Sequence, residues 1–336
     1  MSALKSAVAV QDNISTLGVE TNCGAKMLKG YVPVFNATVI DKLNQAGVTI
    51  KGKFGTGEFG LSEAKEAANA GDITLAIGTG AILSSCKIWI KPTYGSVSRY
   101  GLISCTPSMD QIGPLGSDID ECADLLSIIS GYDPKDSTSI MEKPFEFSKE
   151  AGVNGILIGL PSNLIRESLL PVKDFTNAGA NAEKFEMPLT EYIVPAYDII
   201  ACAEASSNLA RLDGFKYGYR AEASTWYDIY KLSRSEGFGT DAKRTIMLGS
   251  LVLSTGLYDT YYRKALQTRT LVINAYKSLF EKYDMILANG DIFKASLQLA
   301  GLPAITLAPG FTLAGPAFSE EKLIKAARVY LGGASS

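Results

Sequence analysis

Short apolar runs alternate with helical patterns along almost the whole chain, and this alternation restricts the fold more than any other feature. Six runs bounded by Gly, Pro or Asp have the length of buried strands, at residues 8–10, 49–51, 73–77, 156–160, 285–288 and 304–307. Helical patterns occupy residues 37–46, 62–70, 118–129, 192–212, 242–254, 259–282 and 320–331. Strands that alternate with helices favour a mixed or mostly parallel sheet covered by helices on both faces. The sequence therefore predicts an α/β protein.

No internal repeat, low-complexity tract or linker divides the 336 residues. The stretch 133–153 contains two prolines and mixed charge, and its pattern is typical of a surface excursion rather than a domain boundary. We expect one domain that spans residues 1–336.

Several classes of function are excluded by composition. The chain contains no histidine, so Ser–His–Asp catalysis and His-ligated metals are excluded, and we expect neither a metal nor another cofactor. A net charge of −3 without a basic stripe argues against direct contact with nucleic acid. No run approaches the ~18 apolar residues that span a bilayer. Five scattered cysteines are typical of free thiols in a reducing compartment, so we expect a cytoplasmic protein.

A set of motifs, all in one order along the chain, points to a known family. They are V-A-V-Q-D-N-I at 8–14, K-P-T-Y-G-S-V-S-R-Y-G-L at 91–102, S-M-D-Q-I-G-P at 108–114, A-E-A-S-S-N-L-A-R at 203–211, R-S-E-G-F-G at 234–239, Q-T-R-T at 267–270 and L-A-G-L-P-A-I at 299–305. Together they resemble the amidase signature family, and within it the A subunits of glutamyl-tRNA(Gln) amidotransferases. The resemblance implies an α/β/α sandwich around a mixed sheet of about ten strands, here with shortened loops.

Gln11 occupies the position at which the resemblance leads us to expect a catalytic lysine. In that family the lysine is the terminal base of a Ser–cis-Ser–Lys relay. The amide of a glutamine takes up no proton at physiological pH, so Gln11 cannot serve as that base.

Both serine motifs of the relay also depart from the family pattern. The glycine-rich loop before the helix at 62–70 is absent, and the nucleophile motif reads G-T-G-A-I-L-S-S-C at 78–86. Ser62, Ser84 and Ser85 are the fallback candidates for a relocated relay. Ser62 also fits a helix N-cap, because Glu63 and Glu66 follow it. Lys91 belongs to a motif of its own, and the family keeps a lysine there beside the catalytic one, so it is interpreted as structural; the alternative is that it replaces the missing base.

Substrate-binding residues of the family have counterparts here. The resemblance implies that Arg269 grips the α-carboxylate of glutamine and that Asp291 receives its ammonium group, with Tyr219 in the same pocket. A guanidinium and a carboxylate suit a zwitterionic amino acid. The alternative is a structural ion pair between Arg269 and Asp291, or between one of them and another nearby charge.

The leading hypothesis is a catalytically degenerate homologue that acts as a structural or regulatory subunit of a protein complex. Its partners would be amidotransferase B- or C-like subunits or further copies of itself, and it would retain a small amino-acid ligand at most. The alternative is an active amide hydrolase that supplies ammonia through a relocated serine. What fills the space beside Gln11 distinguishes the two hypotheses. A polar cavity there favours the enzyme, and packed apolar side chains exclude it.

Overall fold

The computed structural model describes residues 4, 6–61, 73–79, 86–166 and 170–333. Ten strands in this part of the chain form one mixed sheet. Their bounds are β1 (Val8–Gln11), β2 (Ile50–Phe54), β3 (Leu75–Gly78), β4 (Ile88–Lys91), β5 (Gly113–Gly116), β6 (Leu157–Pro161), β7 (Asn181–Phe185), β8 (Met285–Asn289), β9 (Ala304–Leu307) and β10 (Phe311–Ala314). The strands lie in the order β2-β1-β3-β5-β4-β9-β10-β8-β6-β7.

Parallel and antiparallel pairs occupy different parts of this sheet. The pairs β2–β1 and β1–β3 at one end are parallel, as are β8–β6 and β6–β7 at the other. Between them every neighbouring pair from β3 to β8 is antiparallel. The mixed sheet that the sequence predicts is thereby confirmed.

Helices cover both faces of the sheet. Their bounds in the described residues are α1 (Thr38–Gln45), α2 (Ile119–Ile129), α3 (Val172–Asn177), α4 (Thr190–Leu209), α5 (Trp226–Gly237), α6 (Thr240–Val252), α7 (Tyr262–Lys282), α8 (Asp291–Ala300) and α9 (Glu320–Gly333). None of these described helices is long and apolar enough to cross a membrane.

Successive residues of a buried strand point to opposite faces, and β8 illustrates how this builds two cores. Met285 and Leu287 pack in one hydrophobic cluster, which includes buried residues of α1, α2, α3 and α9. Ile286 and Ala288 pack in the other, with buried residues of α4, α7 and α8. A sheet that buries both faces under helices is an α/β/α sandwich, as the resemblance implies.

Most predicted elements match the structure to within a few residues. The six predicted strands correspond to β1, β2, β3, β6, β8 and β9, and six predicted helices correspond to α1, α2, α4, α6, α7 and α9. The predicted helix at 62–70 lies outside the described residues. The sequence analysis missed four strands (β4, β5, β7 and β10) and three helices (α3, α5 and α8).

Strands β1 and β3 position the site described below. Val10 lies opposite Ile77 in this parallel pair, so the carboxyl ends of both strands meet at one edge. Gly78 ends β3, and a Cβ atom there would lie 2.7 Å from the Gln11 Oε1 atom. The glycine is therefore needed for the two strand ends to approach each other closely.

Candidate functional site

Gln11 is locked to the end of β3 by two hydrogen bonds. Its Oε1 atom accepts from the backbone N–H of Thr79 at 2.6 Å and from the Thr79 hydroxyl at 3.0 Å. The side chain is only 2% exposed. At this position Gln11 caps a strand end through its amide oxygen and offers no basic group.

Asn13 extends the same network and is left with one unused atom. Its Nδ2 atom donates to Thr79 Oγ1 at 3.0 Å. Because the Thr79 hydroxyl proton is directed at Gln11, that hydroxyl can only accept from Asn13, which fixes the orientation of the Asn13 amide. The Asn13 Oδ1 atom has no hydrogen-bond partner among the described residues, although Asn13 is only 6% exposed.

A cavity of about 630 Å³ opens beside this network. The described residues that line it are Gln11, Asn13, Thr56, Gly57, Phe59, Gly60, Leu61, Thr79, Ile103, Cys105, Thr106, Met109, Asp110, Tyr197, Asp198, Ala201, Cys202, Thr245 and Gln298. Next to Gln11 the lining includes the polar side chains of Asn13 and Thr79. This is the arrangement that the sequence analysis associates with the enzyme hypothesis, since apolar side chains of the described residues do not fill the space beside Gln11.

The charged groups in this lining are all acidic. Asp110 accepts hydrogen bonds from the Ser104 hydroxyl at 2.5 Å and from the N–H and hydroxyl of Thr106. Burial raises the pKa of Asp110. It also raises the pKa of Asp198, which is less buried. Among the described lining residues there is no lysine or arginine. The cavity is therefore rich in acceptors and carries negative charge whenever these carboxyls ionise.

Lys91 is buried in the framework, away from this lining. Its ammonium donates to Gln111 Oε1 at 2.9 Å and to the backbone carbonyls of Leu297 and Leu302. Burial lowers its pKa to about 7, against the opposing effect of Glu320. Three acceptors match the three N–H donors of an ammonium, which agrees with the structural role expected for it.

Arg269 directs its guanidinium at protein atoms. Its Nε atom donates to the Leu299 carbonyl at 2.8 Å, and its two terminal nitrogens donate to the hydroxyl and carbonyl oxygens of Ser108 at 2.7 and 2.8 Å. Asp291 begins α8 with a side chain that is 98% exposed and lies 3.6 Å from Lys294. Neither residue lines the cavity, and their proposed role in binding stays a prediction.

Tyr219 also lies outside the cavity lining. Its hydroxyl donates to Glu236 at 2.7 Å, and the Lys26 ammonium lies 4.1 Å from its ring centroid. The three fallback serines, Ser62, Ser84 and Ser85, fall outside the described residues, as does Ala81. Their proposed roles therefore stay predictions as well.

The sequence analysis did not single out the cavity residues Asn13, Asp110, Asp198 and Gln298. Asn13 and Asp110 stand inside quoted motifs, so their position was a usable signal, whereas Asp198 and Gln298 lie in ordinary helical patterns. No group of three or more His, Cys, Asp or Glu side chains able to hold a metal occurs within the described ranges.

Comparison with known proteins identifies the class. The amidase family model matches residues 7–71 and 85–290, and the chain belongs to the amidase family. The A subunit of glutamyl-tRNA(Gln) amidotransferase from Agathobacter rectalis is 38% identical over 95% of this chain and 78% of its own length. The same subunit from Symbiobacterium thermophilum is 36% identical over 96% of this chain and 81% of its own.

Solved structures agree with this assignment. The crystal structure of the A subunit of glutamyl-tRNA(Gln) amidotransferase from Thermotoga maritima is 30% identical and superposes with a TM-score of 0.74, covering 96% of this chain and 82% of that one. A bacterial aryl acylamidase shares the fold with a TM-score of 0.80 at 15% identity, over 98% of this chain and 83% of that one. The first confirms the predicted family, and both confirm the predicted fold.

Proposed function

We propose that this protein is a catalytically degenerate member of the amidase family that serves as a structural or regulatory subunit of a protein complex. The proposal rests on the chemistry of the Gln11 side chain and on its hydrogen bonds. An amide stands where the resemblance leads us to expect a lysine, and its oxygen is fully engaged by Thr79. A hydroxyl nucleophile needs an adjacent base to ionise at neutral pH, and this amide provides none.

No other group in the described lining replaces the base. The whole chain lacks histidine, and the Lys91 ammonium donates its hydrogen bonds to Gln111 and to two backbone carbonyls. Asp110 is occupied by three hydrogen bonds, and Asp198 lies at the exposed rim. The loss of a base together with the family's nucleophile motif leaves only residual binding effects.

Sequence that this chain lacks relative to a homologue supports the same conclusion. The alignment with the A. rectalis protein extends over 395 positions, more than the 336 residues of this chain, so that relative has internal residues that this chain lacks. The family match also omits residues 72–84, which include the position of the expected nucleophile motif. The described residues nevertheless form a sheet of ten strands.

Exposed apolar side chains on consecutive elements support a role in docking. On α5, Trp226 is 74% exposed, and on α6 Met247 is 72% exposed. Tyr258 and Tyr261, in the turn that follows α6, are also exposed. Aromatic residues and methionine are enriched at protein interfaces. The partner we favour is an amidotransferase B- or C-like subunit, since the relatives are themselves named as subunits. We place the complex in the cytoplasm because the cysteines form no disulfide.

Ammonia release from glutamine tests the loss of activity. Purified protein and the Gln11→Lys variant are compared with an equal concentration of an active amidotransferase A subunit. We expect no release above background from either form, because a lysine alone does not restore the nucleophile motif. Turnover by the unmodified protein would overturn the proposal.

The polar cavity beside Gln11 favours a second candidate, an amide hydrolase that uses a relocated serine. In that case Ser62→Ala, Ser84→Ala or Ser85→Ala would abolish turnover of glutamine while leaving thermal stability unchanged. Under the pseudoenzyme proposal there is no turnover for these changes to remove.

Retention of an amino-acid ligand is tested by calorimetry with glutamine, glutamate and asparagine. Arg269 already donates to Leu299 and Ser108, and Asp291 lies in solvent. The two side chains therefore do not form a site that binds both charged groups of an amino acid. We expect no heat from any of the three amino acids. Binding that Arg269→Ala removes would instead establish the amino-acid site.

A further inference from the structure

The dipeptide Asn-Gly occurs twice in the chain, as Asn154-Gly155 and as Asn289-Gly290. In this dipeptide the backbone nitrogen of the glycine can attack the side-chain amide of the asparagine, because glycine has no side chain to shield that nitrogen. The two copies share the same reacting groups. A difference in their reactivity in the folded chain therefore comes from the structure around them.

The first copy lies in an exposed turn that leads into β6. The Ile156 N–H donates to the Val153 carbonyl at 3.1 Å across this turn, so Asn154 and Gly155 are its two central residues. Gly155 has a φ of +73°, and both central residues are exposed. The Asn154 side chain makes no hydrogen bond with any residue in the described part of the chain. No side-chain hydrogen bond therefore has to break before the Asn154 amide can rotate toward the Gly155 nitrogen.

One backbone hydrogen bond restrains the reacting nitrogen of the first copy. The Gly155 N–H donates to the Gly179 carbonyl at 3.0 Å. Gly179 lies in the turn between α3 and β7 and is itself exposed. Exposed backbone hydrogen bonds of this kind open readily, because water can replace either partner.

The second copy is held in place and buried. Asn289 is the last residue of β8 and is only 8% exposed. Its Oδ1 atom accepts from the Arg166 N–H at 3.1 Å, and its Nδ2 atom donates to the Arg166 carbonyl at 3.3 Å. Its backbone lies opposite Phe311 of β10. The Asn289 side chain must break two hydrogen bonds before it can react, and a cost of that size slows a reaction about tenfold or more.

We propose that Asn154 is a site of spontaneous deamidation in the folded protein and that the structure protects Asn289. The Gly155 nitrogen loses its proton to solvent and attacks the Asn154 Cγ atom. The new C–N bond forms as the bond from Cγ to Nδ2 breaks, and the leaving nitrogen takes up a proton and departs as ammonia. Water then opens the succinimide ring at either carbonyl to give aspartate or isoaspartate. The net reaction consumes one water and releases one ammonia, without an oxidant or a cofactor.

Either product changes this end of the sheet. Aspartate adds a negative charge to the turn before β6. Isoaspartate routes the main chain through the side-chain carbon, which adds a methylene group and moves the Gly155 N–H away from the Gly179 carbonyl. The turn between α3 and β7 is then held less firmly against the start of β6. This inference does not rest on the proposed function, since it applies equally to a pseudoenzyme and to an active hydrolase.

Peptide mass spectrometry of the full chain, sampled during incubation in neutral buffer, tests the proposal. Each digest gives the fraction of amide converted to acid at the two sites, and enzymatic methylation measures isoaspartate. In the folded chain we expect Asn154 to convert about tenfold faster than Asn289, or faster still. In urea the two rates should approach each other, because only the shared local sequence remains.

Asn154→Gln is the matched control. A glutamine would have to close a six-membered ring, which forms far more slowly, so conversion at this position should cease while Asn289 behaves as before. The same variant identifies the source of ammonia. Deamidation of Asn154 releases at most one ammonia per chain and does not depend on added glutamine, whereas enzymatic turnover depends on it.

Two results would overturn the proposal. One is equal conversion of Asn154 and Asn289 in the folded chain. The other is an unmodified Asn154 after a period in which the chain in urea has converted it. Turnover of glutamine, in contrast, bears on the proposed function alone and leaves this inference unaffected.

Discussion

Replacing Gln11 by methionine isolates the hydrogen bonds that tie β1 to the end of β3. Methionine has a similar volume, so the substitution opens little new space. It leaves the Thr79 N–H without its acceptor at 2.6 Å, which costs about 1–3 kcal/mol. The Thr79 hydroxyl loses its acceptor too, but it borders the cavity and can hydrogen-bond to water. We therefore expect the free energy of unfolding to fall by about 2 kcal/mol.

Urea denaturation followed by circular dichroism measures this change as a shift of the midpoint at constant slope. Gln298→Met is the matched control, because the same exchange there removes an amide oxygen that has no partner among the described residues. We expect the control to be neutral or slightly stabilising. If both variants shift the midpoint equally, the energetic role assigned to the Gln11–Thr79 pair is wrong.

Three further predictions follow from other parts of the framework. Gly249→Ala should lower the free energy of unfolding by about 3 kcal/mol or more, because its Cβ atom would overlap the Cys202 carbonyl oxygen where α6 packs on α4. Thermal unfolding measures this change, and Gly152→Ala is the control, because the space around Gly152 is open and the substitution should be neutral. Burial lowers the pKa of Lys91 in the folded chain to about 7, below its value in the unfolded chain. Above pH 7 the unfolded chain therefore holds more protons than the folded chain, so the free energy of unfolding should rise with pH. Urea midpoints at several pH values should show that Lys91→Met flattens this rise. Arg269→Ala should cost about 2 kcal/mol even without any ligand, since it removes donors from two backbone carbonyls; an unchanged melting temperature would argue that the guanidinium is reserved for a ligand.

Burial made some strands predictable from sequence, although the buried strands β4 and β10 were missed and the largely exposed β2 was found. β8 is buried at all five residues, so it stands out as an apolar run. β7 (Asn181–Phe185) lies at the sheet edge with four exposed residues, and its composition resembles a loop. β5 (Gly113–Gly116) has two glycines and a proline, which normally indicate a turn. Its strand conformation depends on pairing with β3 and β4, which no local pattern reveals.

The site was predictable only where a motif marked it. Gln11 could be identified because its neighbours match a family pattern closely. Its partner Thr79 lies 68 residues away, and only the parallel pairing of β1 with β3 brings the two together. Arg269 likewise meets Ser108 across 161 residues, a contact that residue type alone did not indicate. Spacing along the chain gives the identity of candidate residues but not their hydrogen-bond partners.

The middle of the sheet can be completed only late in the synthesis of the chain. β4 is flanked by β5, which follows it soon in the chain, and by β9, near the other end. Lys91 at the end of β4 donates to the carbonyl of Leu302, 211 residues later. On the ribosome, one edge of β4 therefore stays unpaired until almost the entire polypeptide has emerged. That edge is where a nascent or truncated chain should be most prone to aggregate or to recruit a chaperone.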